Sequence, residues 1–167
     1  MNQRRLQGSD YPDDTGAATP ALAAALAGYA GDETRYADVL AALGGARLLV
    51  PVVAVLGEVE TGEDGLARDK SSDMATVLLR GADGRMALLA FTSTETLAAW
   101  NPEGRPVPVP TRTAAQSALQ EGAGALLVDV AGPVTVAVEG EDLSALAAGW
   151  RLARVGDRTG WIATDGG

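Results

Sequence analysis

Four aspartates, Asp69, Asp73, Asp83 and Asp129, stand near the ends of apolar runs, where a carboxylate can move a proton or hold a metal ion. Near them in sequence are the single lysine, Lys70, the hydroxyls of Thr92 and Ser93, and Arg105, which precedes Pro106. The acids match no calcium loop, which places its oxygen ligands at alternate positions of one turn. Each also has a sufficient local reason to be there, since aspartate bonds its own backbone and builds turns and caps. Turn formation is the stronger reading, so no metal, cofactor or catalytic residue is assigned. Lys70, between Asp69 and Ser71, reads as a solvated charge. The glycines at 44–45 and at 122 and 124 lack the phosphate-cradling pattern and its lysine.

Arg105 stands apart from these. A residue before proline is pushed towards extended backbone, so the direction of its side chain is set in advance. Its guanidinium needs a carboxylate, phosphate or carbonyl partner. The sequence leaves two roles open. In one, Arg105 anchors its own loop by pairing with Asp73, Asp83 or Glu95. In the other, it joins Ser93, Thr92 and the amides opening the next helix around a small acidic ligand. Trp100, between them in sequence, has the residue type favoured at interface hot spots. Ser93, Trp100, Arg105 and Asp73 are therefore the candidate ligand- or partner-binding residues.

Composition excludes much else. The 167 residues contain no histidine and no cysteine. Disulfides, thiolate nucleophiles, zinc fingers and histidine-based triads are thus unavailable. With 47% hydrophobic residues but only 4% aromatics, a core is affordable only from alanine, leucine and valine. The net charge of −9 argues against nucleic acid and against an anionic membrane surface as partner. No apolar run suits a signal peptide or a membrane span, so a cytoplasmic location is expected.

These residues need elements to position them. Residues 1–18 read as a disordered tail, 19–149 as one domain, and 150–167 as a C-terminal tail that docks or stays partly free. Thr19-Pro20 opens a helix that Gly28 should stop. Asp32 caps a second helix to Leu43. Arg47–Leu56 reads as a strand and 57–73 as a long loop. Met74–Arg80 and Arg85–Phe91 form a hairpin about the glycines at 81 and 84. Thr92 with Glu95, and Thr113 with Gln116, are spaced as capping boxes, the first opening a helix that ends at Trp100. Asn101–Pro110 is expected as a proline-stiffened loop. Ala125–Val130 and Pro133–Val138 are the next strand pair, and Asp142 is placed to cap a last helix. Without regular βαβ alternation, this is an α+β domain with a mixed sheet of about five strands.

In order, Asp69-Lys70-Ser71-Ser72-Asp73-Met74, Gly84-Arg85, Phe91-Thr92-Ser93, Trp100, Arg105-Pro106-Val107-Pro108 and Leu127-Val128-Asp129 resemble the actinobacterial branch of the SseB family. The resemblance spans roughly residues 32–148 and implies no accepted enzymatic activity and no transferable catalytic residues. Two classes of function follow. One is a non-enzymatic binding or regulatory module that uses the 91–110 face for a protein partner or small ligand. The other is an enzyme working through Asp73, Ser93, Arg105 and Asp129, which requires those side chains to converge.

Overall fold

The structure, a computed structural model, describes residues 13–54 and 74–163. Asp69, Lys70, Asp73, the 57–73 loop and the first twelve residues of the predicted tail lie outside that range. Strand β1 (Arg47–Ala54) pairs antiparallel with β2 (Met74–Thr76) on one side and on the other with a strand, β5, at Arg105–Pro110. A second sheet runs in spatial order β3 (Leu78–Arg80), β4 (Met86–Ala90), β6 (Ala125–Val128), β7 (Val136–Glu139), with β4 and β6 parallel. The sheets meet where Leu49 and Phe91 exchange two backbone hydrogen bonds of 2.8 Å. The chain crosses between the two at Val77.

Alternation sorts the side chains onto two faces. Leu48, Val50, Leu88, Ala90, Leu126, Val128, Val136 and Val138 are buried on one, in a single cluster with residues of α1 (Pro20–Gly31), α2 (Tyr36–Gly44), α4 (Thr111–Gln120) and α5 (Gly140–Ala147). Ala114, Ala115 and Ala118 let α4 sit close to its neighbours. The intervening residues Leu49, Leu89 and Phe91 point to the other face, where Leu97 of α3 (Thr94–Trp100) joins them. Phe91 stacks on the half-buried Trp100, with ring centroids 5.6 Å apart. The mixed sheet with packed helices agrees with the α+β class read from the sequence.

Several local expectations are corrected. The stiff loop at 101–110 is in its second half the strand β5. Leu49 spends its backbone groups on Phe91, so the even-numbered residues of β1 face β5. Their partners are Arg105, Val107 and Val109, which keep their N–H groups. Pro106, Pro108 and Pro110 turn their nitrogens to the outer edge, so no ladder donor is lost. Helix α1 runs through Gly28 to Gly31, and α4 starts at Thr111, whose amide and hydroxyl both donate to the Ala46 carbonyl at 3.1 Å. Gln116 spends its amide on the Ala147 carbonyl, so the Thr113 box does not form. Asp142 lies inside α5 and accepts from the Trp161 indole at 3.1 Å.

That indole belongs to a hairpin, β8 (Arg151–Val155) and β9 (Arg158–Ile162), joined by Gly156-Asp157. Gly156 has φ +69° and Asp157 does not share it, the pattern of a II′ turn. Leu152 and Trp161, opposite each other, pack on the larger core.

Candidate functional site

Around the start of α3 polar groups are buried together. Ser93 is the N-cap: the Thr96 amide donates to Ser93 Oγ at 3.1 Å, and the Ser93 amide donates back to Thr96 Oγ1 at 3.3 Å. The capping box thus sits one residue later than the Thr92–Glu95 spacing predicts, because Thr92 is engaged elsewhere. Its amide and hydroxyl donate to Asp129 at 2.8 and 2.7 Å, and its carbonyl accepts from Arg47 Nη1 at 2.6 Å.

Asp129 follows β6, is buried, and holds a left-handed backbone at φ +56°, which aspartate tolerates better than most residues. Thr96 Oγ1 adds a third donor at 2.8 Å. Burial pushes the carboxyl's pKa up, and the Thr92 and Thr96 hydrogen bonds pull against that shift. The arrangement braces the end of β6 against β4 and α3. A carboxylate sequestered and bonded in this way is poorly placed to exchange protons with a substrate.

Next to it, Arg47 is held in a fork. Its Nε and Nη2 donate to the two oxygens of Asp14 at 2.6 and 2.9 Å, and Nη2 also donates to the Ala17 carbonyl at 3.0 Å. Both side chains are only 8% exposed. The hydrogen bond from Arg47, with help from the Gly16 amide, holds the Asp14 carboxyl below its usual range against the effect of burial. The Thr94 amide donates to the Gly16 carbonyl at 2.8 Å. Residues 14–17, read from the sequence as tail, therefore occupy the helix end that was expected to offer free amides. Sequence reasoning passed over Arg47 as the first residue of an apolar strand. A charge heading a buried strand is the signal that a partner must come from somewhere.

Arg105 lies at the other end of β1, opposite Val52, whereas Thr92 and Ser93 flank Arg47. Five residues of strand, about 16 Å, separate those two ends. Arg105 is exposed and makes no ion pair or side-chain hydrogen bond among the described residues. Neither Asp83 nor Glu95 is its partner; Asp83 lies 3.8 Å from Arg85. By alternation Arg105 and Val107 share the four-helix face with Val50, while Trp100 lies on the α3 face. Ser93, Trp100 and Arg105 thus occupy three places around the two joined sheets. A polar cleft of about 340 Å³ lies elsewhere, lined by Asp32, Thr34, Arg35, Asp38 and Arg154 among others. Among the described residues no acidic cluster is arranged to hold a metal ion.

The family described as SseB protein N-terminal domain matches this chain over residues 22–145, from the first turn of α1 into α5. The chain belongs to the SseB family. Ser93, Trp100, Arg105, Arg47 and Asp129 all fall inside the matched stretch of this SseB domain, and Asp14 and the β8–β9 hairpin fall outside it. No curated protein and no solved structure matches the chain.

Proposed function

We propose that this SseB domain is a non-enzymatic binding or regulatory module of the cytosol, of the actinobacterial type, that recognises a protein partner or small acidic ligand through the 91–110 segment. Its contact surface is the β5 rim around Arg105. The observation that carries this reading is the exposed guanidinium, without an ion pair or side-chain hydrogen bond among the described residues, on a strand stiffened by three prolines and beside a Val107 that is 40% exposed. A rigid support lowers the ordering cost of binding, and the guanidinium fork fits a carboxylate in two-point fashion. Trp100 contributes indirectly, by stacking on Phe91 and holding α3 against the sheet. Against the enzymatic alternative stand the committed hydrogen bonds of Ser93 and Asp129 and their distance from Arg105; Asp73, its fourth member, is outside the described residues.

The test is capture of partners from native lysate by wild type, Arg105→Ala and Arg105→Lys. Both variants should lose the captured species while melting within about 2 °C of wild type, as expected for an exposed charge. Retention by Arg105→Ala, or a large fall in its Tm, would remove Arg105 from recognition.

A further inference from the structure

The β8–β9 hairpin contains a glycine that nothing among the described residues requires. Gly160 lies in the middle of β9, has no left-handed φ, and a Cβ placed on it would meet no atom of the described residues within 4 Å. Glycine inside a strand weakens it, and it recurs where a ligand or another backbone comes close. Gly160 pairs with Ala153 on the hairpin face turned away from the core. On that face Ile162 and Val155 are 50% and 70% exposed, each opposite an exposed arginine, Arg151 and Arg158. By residue size the pairing makes this face a shallow saddle: two Arg–aliphatic pairs with the small residues Ala153 and Gly160 as a notch between them.

Charge says what fits there. Three arginines and Asp157 give the hairpin a charge of +2 in a chain of −9, so the remainder sums to −11. Arg154 is turned to the inner face, 4.0 Å from Asp38, whereas Arg151 and Arg158 make no ion pair among the described residues. An acidic partner is repelled by most of the molecule and admitted at this hairpin, so the field selects the site as well as the ligand. Arg151 and Arg158 stand at opposite corners, four residues along the ladder and one strand apart, roughly 14 Å. An extended peptide spans that distance between residues i and i+4, and its residue i+2 projects from the same side over the notch.

We propose that the outer face of the β8–β9 hairpin is a docking site for an acidic, extended segment of a partner protein, with carboxylates at i and i+4 on Arg151 and Arg158 and an aliphatic side chain at i+2 over Ala153 and Gly160. This surface is separate from the β5 rim and does not depend on Arg105.

The probe is a labelled peptide, Glu-Thr-Val-Thr-Glu flanked by serines, titrated by fluorescence anisotropy against the full chain at low and moderate salt, with a Lys-Thr-Val-Thr-Lys control. The glutamate peptide should bind, more weakly as salt rises, and the lysine peptide should not. Arg151→Ala/Arg158→Ala should weaken binding at least tenfold. Gly160→Val should also weaken it at least tenfold while leaving Tm unchanged or higher, a combination that a purely structural glycine cannot give. Arg105→Ala should bind as wild type. No binding at millimolar protein, equal binding by Gly160→Val, or saddle-dependent self-association in place of peptide binding would overturn the proposal.

Discussion

Replacing Asp14 by alanine tests whether residues 14–17 are part of the folded domain. The substitution leaves the Arg47 guanidinium, 8% exposed, with two backbone carbonyls and no counter-charge among the described residues. Breaking a buried ion pair from one side costs about 3–5 kcal/mol. For a chain of this size that corresponds to roughly 6–20 °C in Tm. If the segment lifts away and water reaches Arg47, the loss lies at the lower end. Asp14→Asn should cost less, because the amide oxygen can still accept one of the two hydrogen bonds. Asp14→Ala combined with Arg47→Met should recover part of the loss, because no charge is then left buried. The sign with pH is fixed by the depressed Asp14 pKa. Its contribution is present above the unfolded value of about 3.9 and is lost as pH falls through the folded one. The gap between wild type and Asp14→Ala should therefore close on acidification. Thermal melts of the four proteins at pH 7 and in the acid range provide the measurement. A variant melting within 2 °C of wild type at pH 7 would show that Asp14 does not hold Arg47 in solution.

Phe91→Ala should destabilise by about 3–5 kcal/mol in urea titrations, since the ring is fully buried and its removal also unstacks Trp100; a change below 1 kcal/mol would contradict the α3 packing. Asp129→Ala should cost about 1–3 kcal/mol by leaving the Thr92 amide unsatisfied, whereas Asp129→Asn, which suits the left-handed backbone, should cost less. Because the folded pKa of Asp129 is raised, its favourable contribution is fully present below the unfolded value and lost as pH rises through the folded one. Wild type should accordingly lose stability relative to Asp129→Asn as pH rises above the unfolded carboxyl value of about 3.9, and an advantage that grows instead with rising pH would refute this sign.

What the sequence made legible followed from short-range rules. The helices at 20 and 36, the hairpin about Gly84 and the strand pair near 125–138 each carry a period or a turn residue that acts within a few positions. The strand at 105–110 was hidden because three prolines count against a strand when read singly. Their spacing of two, which places every missing donor on the same edge, is what makes it possible. The hairpin at 151–162 carried its own turn signal in Gly156-Asp157, masked by the charge of the segment. The Asp14–Arg47 pair joins residues 33 apart, and no local pattern announces such a contact. At the candidate site the residue types were visible, but their grouping was not. Whether Ser93, Trp100 and Arg105 share a surface depends on which face of the sheet each meets, and that parity is fixed by the Leu49–Phe91 junction.

The outward nitrogens of Pro106, Pro108 and Pro110 also limit what can add to the β5 edge of the sheet. An exposed edge strand ordinarily invites another chain to add a strand and begin an aggregate. Here that edge presents carbonyl acceptors without a single N–H, so an incoming strand would find only half of a ladder and would leave its own acceptors unmet. The rim can be approached by side chains but not extended by backbone pairing. A partner there must be selected by chemical complementarity with Arg105 and Val107, and a second copy of the chain finds no continuous ladder to prolong along β5.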